Sequence, residues 1–167
     1  IKSCLAQNYK KKEILIFDDK STDNSLKILK KYKKIKVFKN EKKKFLSSPL
    51  NQINGIQELF KKSKGEVIFL LDSDDFFKKN KIKNIMNLYS KDKNLNFIQD
   101  IPYSVKDKQT IKLKYKNHFF SIWPSFYPTS TISVRKEFFL KFLNYLEPKK
   151  FPNLEIDARL CIFAFLS

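Results

Sequence analysis

Glycine is scarce in this chain: Gly55 and Gly65 are the two glycines among 167 residues. Cysteine is equally scarce, and Cys4 and Cys161 stand far apart without metal-ligand spacing. A loop-rich disulfide scaffold is therefore excluded, and two reduced thiols in a cytoplasmic protein are expected. Arginine occurs only as Arg135 and Arg159, so lysine carries nearly all of the basic excess behind a formal net charge of +18. A nucleic-acid binder would gather arginine forks and aromatics on one face. Here lysines cluster along the whole length, as at Lys10-Lys11-Lys12, Lys42-Lys43-Lys44 and Lys61-Lys62. That spread reads as a compositional habit, and no specific nucleic-acid partner is expected. It would still draw anionic ligands or an anionic membrane surface towards the protein, which gives an expected peripheral contact at the inner face of the membrane. No run reaches the ~18 apolar residues of a membrane span, and no secretion signal is present. The chain opens on Ile1 and closes on the apolar run Leu160 to Leu166. Both ends read as cut, so a fragment of a longer protein is expected.

What is present points to a folded α/β domain. Hydrophobic residues at 42% and aromatics at 15% are too many for a disordered chain. A length of 167 residues suits one domain with a proper core. Two acidic clusters each follow an apolar run: Glu13-Ile14-Leu15-Ile16-Phe17-Asp18-Asp19, and Val67-Ile68-Phe69-Leu70-Leu71-Asp72-Ser73-Asp74-Asp75. Short apolar runs bounded by polar residues read as buried strands of a parallel sheet. Ligands of open α/β sheets bind outside the carboxyl ends of the strands. Two acidic clusters delivered to that edge make a site for a divalent cation and the anion it carries.

Helical and strand patterns alternate through residue 101. Ser21 to Asn24 supply N-cap chemistry for a helix with Leu26, Ile28, Leu29 and Tyr32 as its stripe. Ile35 to Phe38 read as a strand. Ile53, Ile56, Leu59 and Phe60 repeat at helical spacing, and Gly65 is placed to end that helix. Ile82, Ile85, Met86 and Tyr89 mark another helix, and Leu95 to Ile101 a strand. The alternation predicts an α/β sandwich with a mainly parallel sheet. Residues 102 to 134 are rich in proline and aromatics, which suggests loops and short antiparallel strands lining a cleft. Phe138, Phe142 and Leu146 mark a helix stopped by Pro148, and a last helix starts near Glu155 or Ile156.

Three segments in order, Ala6-Gln7-Asn8-Tyr9, then Glu13 through Ser25, then Lys64 through Asp75, resemble family 2 glycosyltransferases of the GT-A fold. The likeness is close over residues 2 to 80 and loose beyond. It implies one domain over 1–167, incomplete at both ends, with a nucleotide-sugar-binding half at 1–101 and an acceptor-side half at 102–167. The implied fold is a three-layer sandwich around a doubly wound sheet whose first strand is missing. That loss would leave two unpaired central edges beside the strands ending at Asp19 and Asp72, and the piece alone is not expected to turn over. The implied partners are a nucleotide-diphosphate sugar donor and a glycan or lipid-linked acceptor, in cell-envelope polysaccharide synthesis.

The resemblance also assigns residues. Asp74 would bind Mn²⁺ or Mg²⁺ directly, with Asp72 on the ribose or a metal-bound water, Ser73 in the nucleotide-sugar site and Asp75 supporting the loop. The chemistry agrees: a diphosphate leaving group needs a Lewis acid, and Asp72 and Asp74, two apart on an extended chain, point the same way. An acidic turn capping the next helix is the structural alternative. Asp18 and Asp19 would face the nucleoside and bond the base, the alternative being an Asx-turn. Lys20 stands where the family has glycine, so this turn is expected to differ. The family's Arg-Asn pair is replaced by Gln52-Ile53-Asn54-Gly55. Inverting transfer needs a general base. Asp157 is favoured over Glu155, against the plainer reading of two acids at a helix N-terminus. His118 is read as a cleft or surface residue. Trp123 with Phe119, Phe120, Phe126 and Tyr127 is read as a sugar-stacking platform or, equally, as core.

Three other classes compete. A receiver-like signalling domain would need Thr or Ser where Pro102 falls, and receivers lack Asp-x-Asp-Asp. A dehalogenase-type phosphatase would want Thr in place of Phe76. A basic nucleic-acid-binding protein rests on the charge alone.

Overall fold

The computed structural model describes residues 1–106, 109–112 and 126–167, and His118, Phe119, Phe120 and Trp123 lie outside them. In chain order the elements are α1 (Lys2–Leu5), β1 (Leu15–Asp18), α2 (Ser25–Leu29), β2 (Lys36–Lys39), α3 (Ser48–Lys62), β3 (Val67–Phe69) and α4 (Lys81–Lys91). Then come β4 (Phe97–Gln99), β5 (Tyr103–Lys106), β6 (Gln109–Lys112), β7 (Ile132–Arg135), α5 (Lys136–Tyr145) and α6 (Ile156–Leu166). No helix among the described residues is long and apolar enough to cross a membrane.

Local chemistry explains most boundaries. Ser47 caps α3 by accepting the N–H of Leu50, and Pro49 sits in its first turn, where a missing N–H costs nothing. α3 ends at Lys62 with Ser63 extended, and Ser63 Oγ donates to the carbonyl of Phe60, so Gly65 is not its stop. α2 is only five residues long, and Asp23 accepts the N–H of Ser25 just before it. α4 lacks a cap from its own Asn80. Gln7 supplies one from a distance: its Oε1 accepts the N–H of Ile82, while its Nε2 donates to Ser3 and Lys78 carbonyls.

The strands form a parallel pair β1–β2, a three-stranded sheet in the order β3-β7-β4, and a hairpin β5–β6. The expectation of a mainly parallel sheet is met in part: β1 and β2 pair in parallel, and β3 and β4 share one direction, but β7 runs antiparallel between them. A strand from the second half, far along the chain from β3, is invisible to a count of strand–helix alternation. Its burial explains the insertion, since Ile132 and Val134 are fully enclosed. With Ile53, Leu70, Phe139, Phe142, Ile156 and Leu160 they form the core that joins α3, β3, α5 and α6. Burying each such side chain favours the fold by roughly 1.5–3 kcal/mol.

Among the described residues, β1 hydrogen-bonds to a strand on one side only, and so does β3. The two strands start together: Glu13, just before β1, accepts the N–H of Lys64 at 2.5 Å and of Gly65 at 3.2 Å, just before β3. Between them opens a cavity of about 1980 Å³, lined by both strands and by apolar side chains of α3 and α4. Gly55 lets α3 approach β1 closely, because a Cβ there would stand 2.7 Å from the ring of Phe17.

Candidate active site

Both acidic clusters, with Glu155 and Asp157, line this one cavity. Asp18 ends β1 and is 5% exposed. Its Oδ2 accepts the N–H of Ser21 at 3.4 Å, the Asx-type contact left open above. Asp19 is held on both carboxylate oxygens, by Asn40 Nδ2 at 2.6 Å and by Lys44 at 3.4 Å. Asn40 was not singled out in the sequence, although the parallel register that pairs Asp18 with Lys39 places it beside Asp19. The turn after Asp19 was expected to differ because of Lys20. It keeps the left-handed backbone instead, with Lys20 at φ 59°. The flanking contacts of Asp18 and Asp19 hold this conformation against its steric cost of roughly 1–2 kcal/mol.

Asp72 follows β3 and is half-buried, whereas Ser73, Asp74 and Asp75 are exposed in the turn beyond it. The backbone N–H of Asp72 donates to Ser130 Oγ at 2.9 Å, and its Oδ1 accepts from Gln52 Nε2 at 3.0 Å. Burial raises the Asp72 carboxyl above the usual range, and the charges of Asp75, Asp74 and Asp157 add to this against the Gln52 bond. None of the ion pairs among the described residues reaches Asp72. The site thus gathers acids from the end of β3, its following turn and α6, and among the described residues none of them is in an ion pair.

Asp157 lies in the first turn of α6 and is 9% exposed, where the helix N-terminus favours its charge. Thr129 Oγ1 lies 3.5 Å from its Oδ2. Glu155 is the exposed N-cap residue of α6 and makes no capping bond with its side chain. Arg159 pairs with neither acid. Its guanidinium donates to the carbonyls of Leu154, Pro148, Phe151 and Glu147, fixing the loop that leads into α6.

The element that joins these parts is a 3₁₀ turn, Thr129–Thr131, all three residues of which are buried. Thr129 faces Gln52 and Asp157, and Ser130 holds the Asp72 backbone. Lys81, with an 11% exposed side chain, donates to the Ser130 carbonyl at 2.8 Å and to Asp100 at 2.8 Å. Burial lowers the Lys81 pKa, opposed by Asp100 and Asp75. Three consecutive hydroxyl residues before an apolar strand were the available signal for this turn. Of the aromatic platform, Phe126 and Tyr127 are described, and both line the cavity.

Comparison with known proteins shows the family. The model of "Glycosyl transferase family 2" matches residues 1–147. An "Uncharacterized glycosyltransferase" of Haemophilus influenzae is 34% identical over 89 residues, 52% of this chain and 34% of that protein. "Poly(ribitol-phosphate) beta-N-acetylglucosaminyltransferase TarP" of Staphylococcus aureus is 36% identical over 88 residues, 52% of this chain and 25% of that protein. The match therefore spans only 34% and 25% of the lengths of these curated relatives. With a family model covering most of its length and two acid-ended strands on one cavity, this chain belongs to glycosyl transferase family 2.

Proposed function

We propose that the full protein is a metal-dependent, inverting glycosyltransferase that moves a sugar from a nucleotide-diphosphate donor to a glycan or lipid-linked acceptor. One observation carries the reading: a half-buried Asp72 faces Asp74, Asp75 and Asp157 in a cavity, and its side-chain partner among the described residues is a neutral amide. Acids held together without a cation are costly unless a cation completes the site. Mn²⁺ and Mg²⁺ suit oxygen ligands, and Mg²⁺ commonly takes one or two carboxylates, with waters and substrate phosphates filling the rest. No three His, Cys, Asp or Glu among the described residues are grouped to chelate an ion. Asp74 with Asp72 would hold the ion, which supplies Lewis-acid stabilisation to the departing diphosphate.

The chain's own residues do the rest. Asp18, Asp19 and Ser73 flank the donor, the first two at the nucleoside end. Asp157 takes the proton of the acceptor hydroxyl, whose oxygen bonds to the anomeric carbon as the bond to the diphosphate breaks on the opposite face. The electron pair leaves with the nucleoside diphosphate and the configuration inverts. Burial of Asp157 limits water as a competing acceptor. Glu155, exposed at the helix start, is the second choice of base.

The GT-A sandwich belongs to the same reading. Its doubly wound order has one more parallel strand between β1 and β3, and the edges of both that face the cavity, unpaired among the described residues, support this. The relative named as an N-acetylglucosaminyltransferase of poly(ribitol-phosphate) supports a polymeric acceptor, and an acceptor of the cell envelope is part of the same proposal. The test is Asp157→Asn in the full-length protein. Transfer is expected to fall about 10²- to 10⁴-fold with donor binding kept. A full rate would put the base elsewhere.

A further inference from the structure

Gln52 has no part in the chemistry above, yet it touches both of its sides. It lies on α3, and its Nε2 is 3.0 Å from Asp72 Oδ1 and 3.5 Å from Thr129 Oγ1. Thr129 is 4% exposed, and its hydroxyl lies 3.5 Å from Asp157 Oδ2. A primary amide carries two N–H donors, and a threonine hydroxyl accepts one bond while donating another. One amide proton therefore goes to the carboxylate beside the donor. The other goes to the hydroxyl whose own proton points to the carboxylate beside the acceptor.

Among the described residues, this amide is the hydrogen-bonding restraint on the Asp72 side chain. The Asp72 main chain is fixed separately, by Ser130 Oγ. The charged groups facing Asp72 are Asp74 and Asp75 from its own turn and Asp157 from α6, all of which repel it.

We infer that Gln52 is a positioning residue for sugar transfer, setting the placement of Asp72 and Asp157 relative to each other by way of Thr129. The inference rests on the reading of Asp72 as part of the donor site and Asp157 as the base. Partners of this outer kind typically affect ion affinity or activity 10- to 100-fold, roughly, when removed. The two 3.5 Å contacts are long for hydrogen bonds, as is common before substrate tightens a site.

The experiment uses the full-length protein with Gln52→Met, which keeps the stem and loses both donors, and Gln52→Arg, which keeps donors in a planar fork. Mn²⁺ with UDP, then with the other nucleoside diphosphates, is titrated by calorimetry, and transfer is measured alongside. Gln52→Met is expected to weaken Mn²⁺–nucleotide binding and to lower kcat/KM about tenfold or more, with the unfolding midpoint unchanged. Gln52→Arg is expected to recover both to within about threefold of the parent. Gln52→Met combined with Thr129→Val should lose less than the product of the single losses. Parent-like binding and turnover in Gln52→Met, or a loss no larger than its loss of folded protein, would overturn the inference and leave the proposed function standing. Parent-like Mn²⁺–nucleotide binding by Asp72→Asn would instead remove the donor-site reading, and the inference with it.

Discussion

Glu13 and Gly65 meet at the foot of the cavity, the Glu13 Oε1 accepting the Gly65 N–H at 3.2 Å. The same oxygen accepts from Lys64, and Lys36 pairs with the other oxygen at 3.3 Å. This carboxylate ties the start of the parallel pair to the start of the mixed sheet, where no ladder joins them. Burial pushes its pKa up, but the Lys64, Lys36 and Gly65 bonds outweigh that, and the net shift is downward.

The consequence is a defined pH window. A lowered carboxyl contributes stability that is present above its unfolded value, about 4.3, and lost as pH falls through the folded value. Glu13→Gln is expected to cost about 1 kcal/mol near neutrality, the carboxylate being partly exposed. The difference from the parent should vanish in acid. Urea unfolding of both proteins across this range checks it, and a difference independent of pH would contradict it.

Lys20 offers a second test, because its left-handed φ of 59° is a strained conformation for a side-chain-bearing residue. Lys20→Gly relieves the strain but loosens the unfolded chain, so a gain of under about 1 kcal/mol is expected. Lys20→Val, β-branched, should lose about 1 kcal/mol or more. Thermal unfolding distinguishes them, and equal midpoints would show that the turn is not left-handed.

Cys161 is buried behind Asp157. Burial first, and then the Asp157 charge, push its thiol up to about 12, although Gln99 pulls the other way. The thiol should resist alkylation at about pH 8 in the native protein. A raised folded value means that its stability contribution is complete below the unfolded value, about 8.5, and is lost as pH rises towards the folded one. Cys161→Val should accordingly flatten the alkaline fall in stability relative to the parent. Rapid native alkylation at Cys161 would contradict this burial.

Arg159 spans four carbonyls with one planar fork, and burial lowers its pKa without threatening its charge. Lysine cannot span them, so Arg159→Lys should cost about 2 kcal/mol and expose the 147–154 loop to protease. Since that loop sets the start of α6, transfer should fall with it. Unchanged proteolysis would contradict the assignment.

Much of the arrangement was legible because it is local. Apolar runs ending in Asp18-Asp19 and Asp72-x-Asp74 gave the strands and the edge to which they deliver acids, and the spacing around Ile53 and Ile85 gave α3 and α4. Glu155 and Ile156 marked the start of α6. The rest depends on contacts between distant segments. β7 enters the sheet between β3 and β4 because Ile132 and Val134 on one face and Ser133 on the other are all enclosed there, which no pattern within residues 1–101 announces. Gln52 looked like a loss against the family pattern, and its bonds to Asp72 and Thr129 exist only once α3 lies over the 3₁₀ turn. Lys81 looked like one lysine among many until Ser130 and Asp100 enclosed it. Gly65 misled for the opposite reason: Ser63, extended and bonding back to Phe60, had already ended the helix.

The most direct measurement of the central claim is anomalous scattering from Mn²⁺ in crystals of the full-length protein grown with a nucleoside diphosphate. A single peak about 2.1 Å from an Asp74 carboxylate oxygen, beside Asp72 and the diphosphate, is the predicted result. A Mn²⁺–nucleotide complex bound away from residues 72–75 would contradict it.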